Sequence, residues 1–91
     1  MNSISFSDLK NISNPIIIDI RDNYSYNISH IKNSNNIPYY NLLNNYSHYL
    51  NKNNIYYLYC DEGKQSNEIS KRLNSFGYNT KSIQGGFKHL N

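Results

Sequence analysis

The sequence is poor in the residues that build cross-links, breaks and spans. It holds one cysteine, no tryptophan, two prolines and four glycines in 91 residues. A lone cysteine excludes an internal disulfide framework, a C-x-x-C redox pair and a cysteine-rich zinc site. It also fits a reducing, cytoplasmic compartment. No apolar run approaches the roughly 18 residues of a membrane span. The opening stretch MNSISFSDLK lacks the apolar core of a signal peptide. Charge is sparse too, at 16% of residues, with a net of +3. The lysines are scattered rather than clustered, which argues for a solvated mixed surface and against a nucleic-acid partner.

Ten tyrosines stand out among what is present. Like the abundant asparagine, isoleucine and lysine, tyrosine has AT-rich codons. The tyrosines are expected to replace other large core residues and to send their hydroxyls to the surface or a partner. A chain of this length reads as one domain over residues 1–91, and a monomer is the default for its size.

Two continuous apolar runs mark buried strands: Ile16 to Ile18, and the stretch NIYYLYC from Asn54 to Cys60. Leu42, Leu43, Tyr46, Tyr49 and Leu50 recur at helical spacing after a short extended piece at Ile37 and Pro38. From Ser66, the residues Ile69, Leu73 and Phe76 form a second helical stripe, which Gly77 is placed to end. Thr80 to Ile83 reads as a third strand. Strands alternating with helices predict an α/β domain around a mostly parallel sheet.

This order puts Cys60 at the carboxyl end of a central strand, just before a helix, where open α/β sheets bind ligands. The reactive form of cysteine is the thiolate, which helix N-termini favour. Gly63 allows a tight turn whose amides can face an anion. Lys64 adds a cation, while Asp61 and Glu62 oppose an anion unless they turn to solvent. A free cysteine also packs well as an inert small apolar residue. These residues alone leave both readings open.

Set beside the rest of the chain, the segment Cys60-Asp61-Glu62-Gly63-Lys64-Gln65-Ser66 resembles the active-site loop of rhodanese-like domains, C-x-x-G-x-[R/Q/T]-S. It is most similar to small single-domain, phage-shock-type members. IIIDIRD, from Ile16 to Asp22, is similar to the family's strand ending D-V-R. SHIKNSNNIP, from Ser29 to Pro38, is similar to G-H-I-x-G-A-x-N-I-P, with Ser29, Asn33 and Ser34 in place of Gly, Gly and Ala. GGFKHL, from Gly85 to Leu90, is similar to G-G-x-x-x-W, with Leu90 for the tryptophan. Gln65 stands where an arginine is common, and the family's C-terminal helix is expected to be minimal or missing.

The resemblance implies a rhodanese-like fold with helices on both sheet faces. It implies a sulfurtransferase that passes sulfane sulfur through a persulfide on Cys60, without cofactor or metal. The amides of residues 61 to 65 would hold the persulfide's charge. The donor would be a small molecule such as thiosulfate, or a protein-bound persulfide. With no second cysteine, the acceptor, a thiol or cyanide, would come from outside. Asp61 and Glu62 weigh against thiosulfate, a dianion.

Two other functions compete. A cysteine phosphatase or arsenate reductase needs C-x5-R for a bidentate clasp, and that position is Ser66. A non-catalytic partner-binding or sulfur-carrier module remains the main alternative, although such modules usually lose the cysteine. Asp19 and Arg21 lie two apart on a strand and are placed to pair near the loop in a supporting role. Gln65 and Ser66 are expected to shape and cap the loop, Gly85 and Gly86 to allow a close backbone approach, and His30 to be structural. His48 and His89 show no evident partners.

Overall fold

A computed structural model describes residues 2–90. Five parallel strands form one sheet: β1 (Ser3–Ile4), β2 (Ile16–Asp19), β3 (Asn35–Asn36), β4 (Ile55–Tyr59) and β5 (Asn79–Ile83). Their spatial order is β1-β5-β4-β2-β3, so the strand that ends at Cys60 is central. The helices are α1 (Phe6–Leu9), α2 (Asn23–Ile28), α3 (Tyr39–Tyr49), α4 (Lys64–Ser75) and α5 (Gly86–His89).

Strand alternation divides β4 between two cores. Tyr56, Leu58 and Cys60 point to one face, where they meet Leu42 and Leu50 from α3 and its end and Ile69 and Leu73 from α4. Tyr57 and Tyr59 point to the other, against Leu9, Ile83 and the partly buried Phe6 and Phe87. Both faces are therefore covered, which is why β2 and β4 read as unbroken apolar runs rather than alternating ones. Each fully buried side chain of this kind contributes about 1.5–3 kcal/mol.

Tyr56, Tyr57 and Tyr59 enter the core while Tyr24, Tyr40 and Tyr49 stay exposed, and the hydroxyls of Tyr56 and Tyr59 find partners inside the fold. Tyr56 Oη accepts the amide of Asn51 at 2.7 Å, and Tyr59 Oη accepts the amide of Ile31 at 3.0 Å. Burial, reinforced by the nearby Asp19 carboxylate, pushes the Tyr59 hydroxyl's pKa up to about 12.

Several elements are too short or too polar to show in the pattern. Strands β1 and β3 have two residues each. Helix α1 is one turn, capped by Ser5 Oγ accepting from the Asp8 amide at 3.0 Å. Helix α2 has no buried residue and starts at Asp22, whose carboxylate accepts from the Ser25 amide at 2.8 Å. That bond holds the Asp22 carboxyl below the ordinary carboxylate range. Asn33 adopts a positive φ of 69°. It sits where the family pattern places glycine, and asparagine is among the few residues that tolerate this region.

Candidate active site

Helix α4 begins at Lys64, two residues before the onset expected at Ser66. The difference matters at the sulfur. Ser66 becomes the third helical residue, so its amide has no intrahelical acceptor and is free to point elsewhere. It points at Cys60 Sγ, 3.3 Å away. The amide of Gly63 donates to the same sulfur at 3.1 Å. The thiol in turn donates to Ser66 Oγ at 3.5 Å. The amides expected around the sulfur were those of residues 61 to 65. The observed contacts come from Gly63 within that range and from Ser66 just beyond it.

Gly63 fills the cap position with φ 92° and no side-chain cap, so glycine rather than Gln65 or Ser66 starts the helix. A Cβ on Gly63 would lie 3.1 Å from the amide nitrogen of Gly85. Gly86 approaches the loop more closely still: a Cβ there would lie 2.5 Å from the Asp61 carbonyl and 2.6 Å from that of Cys60. This contact lets α5 dock end-on. The amides of Phe87 and Lys88 donate to the carbonyls of Cys60 and Asp61 at 2.8 and 2.9 Å. A trans peptide sends its C=O and its N–H in opposite directions. Fixing those two carbonyls toward α5 therefore turns the amides of Asp61 and Glu62 away from it.

The loop's charged side chains lean outward. Asp61 and Glu62 have side chains 58% and 71% exposed. Glu62 pairs with Lys88 at 3.2 Å, and Asp61 lies 3.8 Å from Arg21. Among the described residues no charged side chain hydrogen-bonds to the sulfur, Lys64 included. The sulfur is held by backbone dipoles and one hydroxyl, in a residue only 3% exposed.

Asp19 and Arg21 do pair. Arg21 Nη2 meets Asp19 Oδ2 at 2.7 Å, and Nε lies 3.1 Å from both carboxylate oxygens. Arg21 also donates to the carbonyl of Ser29 and stacks 4.1 Å from the centre of the Phe87 ring. Burial is the largest influence and works against its charge, but the bond to Asp19, the Asp19 charge and the Tyr59 hydroxyl together outweigh it and raise the guanidinium's pKa. The pair thus joins β2, the sulfur loop and α5 without touching the sulfur. His30 is tied to Tyr26, whose carbonyl lies 2.8 Å from Nδ1 and whose ring stacks at 3.8 Å.

A cleft of about 260 Å³ opens beside the loop, lined by residues that include Arg21, Asp22, Tyr39, Tyr40, Asp61 and Gln65. Tyr39 donates from one wall to Glu68 at 2.9 Å. No sequence pattern marked Tyr39 or Tyr40 as lining a site. A second feature escaped the sequence as well: Ser82 of β5 lies 2.6 Å from Ser66 Oγ. A serine inside a short strand carries no signal of its own.

The profile of the rhodanese-like domain family matches residues 5–91. No curated protein matches the chain in sequence. Among solved structures, protein SSP1007 from Staphylococcus saprophyticus is similar over 100% of this chain and 94% of its own, with 28% identity and a TM-score of 0.89. A rhodanese-like domain protein from Staphylococcus aureus is similar at 27% identity and a TM-score of 0.89, over 100% of this chain and 92% of that one. A human single-domain sulfurtransferase, TSTD1, shares the fold with a TM-score of 0.84 over 99% of this chain and 95% of its own, at 16% identity.

Proposed function

Since the chain belongs to the rhodanese-like domain family, we propose that it is a sulfurtransferase working through a persulfide on Cys60. The observation that carries this reading is the pair of amides, from Gly63 and Ser66, directed at Cys60 Sγ at 3.1 and 3.3 Å. Amide dipoles fixed on a sulfur favour its anion over the neutral thiol. The thiolate is the nucleophile the reaction needs.

The reaction has two steps, as covalent catalysis generally does. In the first, the Cys60 thiolate attacks the outer sulfur of a donor. With thiosulfate, the donor's S–S bond breaks and sulfite leaves with the electron pair. In the second, cyanide or an acceptor thiolate attacks the terminal sulfur of the persulfide. The new S–S bond breaks, its electron pair returns to Cys60, and thiocyanate or a new persulfide leaves. No external oxidant is consumed, and no cofactor is called for. The 260 Å³ cleft beside the loop gives an outside donor and acceptor room to approach.

No helix among the described residues is long and apolar enough to cross a membrane. A reaction that depends on one free thiol suits a reducing, cytoplasmic setting, and the protein acts as a monomer toward small or protein-bound sulfur species. Intact mass spectrometry after incubation with thiosulfate or a low-molecular-weight persulfide tests the reading. One added sulfur atom is expected in the wild type and none in Cys60→Ser. A wild type that takes up no sulfur from any donor points instead to a partner-binding module.

A further inference from the structure

Two hydroxyl pairs are buried between α4 and β5. Ser70 Oγ and Thr80 Oγ1 lie 2.7 Å apart, and Ser66 Oγ and Ser82 Oγ lie 2.6 Å apart. All four residues are at most 2% exposed. The first pair belongs to a wider structural network, because Thr80 Oγ1 also reaches the Ser70 carbonyl and Asn74. The second pair stands directly behind the sulfur.

A serine hydroxyl has one proton and two lone pairs. Ser66 Oγ has three neighbours within reach: the Gly63 carbonyl at 3.2 Å, Cys60 Sγ at 3.5 Å and Ser82. Among the described residues, the Ser82 hydroxyl bonds to Ser66 alone. The arrangement that satisfies both buried hydroxyls therefore runs from Ser82 O–H to Ser66 Oγ. This leaves the Ser66 proton for the Gly63 carbonyl or for the sulfur. While Cys60 is a thiol, its S–H donates to Ser66 Oγ and Ser66 donates to Gly63. Once the sulfur is an anion it accepts instead, and the Ser66 proton turns to it. The Gly63 carbonyl still keeps its bond from the Asn67 amide at 3.1 Å. A hydroxyl that accepts one hydrogen bond donates a stronger one.

We propose that Ser82 is a positioning residue for Cys60: it donates to Ser66 Oγ and so directs and strengthens the Ser66 hydroxyl as a donor to the anionic sulfur. The proposal rests on the reading of Cys60 as a thiolate nucleophile. The ionisable groups flanking the sulfur are left in place by a change at Ser82. They are Asp61, Glu62 and Lys64 on its loop and helix, the Asp19–Arg21 pair at the end of β2, and Lys88 and His89 on α5. On β5 itself, Lys81 points to the opposite sheet face by strand alternation.

Alkylation of the single thiol by iodoacetamide, an uncharged reagent, reads the thiolate across pH in the full chain. In Ser82→Ala the rate at pH 7 is expected to fall about three- to five-fold, the loss of one net hydrogen bond, and the profile moves to higher pH. Two further variants separate positioning from packing. In a Ser66→Ala background, Ser82→Ala adds no further shift, because its effect passes through Ser66. Ser70→Ala breaks the sister pair, so it lowers stability but leaves the profile in place. Ser82→Gly also removes the hydroxyl and repeats the test should alanine disturb the fold. A Ser82→Ala profile that superimposes on the wild type overturns the proposal, as does a full shift that persists without Ser66. Alkylation requires no sulfur transfer, so either result leaves the persulfide reading to its own mass-spectrometric test.

Discussion

The Phe87 amide donates to the Cys60 carbonyl at 2.8 Å, joining the residue that bears the sulfur to the first turn of α5. With the Lys88 bond to Asp61, this contact sets which way the loop's peptide planes face. It exists because Gly86 has no side chain and sits at φ 67°. Gly86→Ala combines a positive-φ penalty with a clash against two backbone carbonyls. It is expected to cost about 2–4 kcal/mol and to slow Cys60 alkylation in whatever fraction remains folded. Urea denaturation followed by alkylation of the native fraction measures both. A stable variant with unchanged thiol reactivity would show that α5 does not orient the loop.

Asp61 stands at the mouth of the loop with its side chain 58% exposed. A unit charge facing a dianion across several ångströms of solvated protein is worth on the order of 1 kcal/mol. Asp61→Asn should therefore raise kcat/KM for thiosulfate about three- to ten-fold at low salt, with the gain shrinking as ionic strength rises. A persulfide donor of lower net charge should show a smaller gain. Equal gains with both donors would mean that Asp61 acts through loop shape rather than charge.

The parts of the fold that were legible share a cause. Ile16 to Ile18 and the run up to Tyr59 are covered on both faces, so their sequences are apolar throughout. Ile69 and Leu73 mark the buried stripe of α4. Two-residue strands have no period to detect, and α2, NYSYNI, has no apolar face because none of it is buried. At the site, the sequence indicated Cys60 and its loop because their spacing is local. It placed the helix start at Ser66, because Lys64 and Gln65 belong to no apolar stripe. Ser82, the α5 amides and the tyrosines of the cleft reach the loop only through tertiary packing, which leaves no local trace.

Arg21 and Asp19 form a nearly inaccessible ion pair, with side chains 6% and 0% exposed. Removing one partner strands the other charge in the interior. Arg21→Met is expected to cost about 3–5 kcal/mol, and the double variant Asp19→Asn/Arg21→Met clearly less than the sum of its two single changes. Denaturation of the four proteins in urea completes the cycle. Strict additivity would show that the two side chains do not stabilise each other. Thiol alkylation on the same set tests whether the pair supports the loop, since Arg21 stacks on Phe87 and lies 3.8 Å from Asp61.

Tyr59 gives the fold a distinct alkaline limit. Its hydroxyl ionises near 12 when folded and near 10 in the ordinary case. A raised value means that the native state holds its proton where the unfolded chain has already lost it. The stabilisation is complete below about pH 10 and drains away as pH climbs from 10 toward 12. A two-unit difference corresponds to about 2–3 kcal/mol. At neutral pH, Tyr59→Phe loses the bonds to the Ile31 amide and Ser34 hydroxyl, at 3.0 and 3.2 Å. That costs about 1–3 kcal/mol. The stability gap between wild type and variant is therefore expected to narrow, or reverse, between pH 9 and pH 12. Comparing the two proteins cancels the other nine tyrosines, which titrate in both. Chemical denaturation at three or four pH values in that window decides the matter, and a gap that stays constant would place Tyr59's proton exchange outside the folding equilibrium.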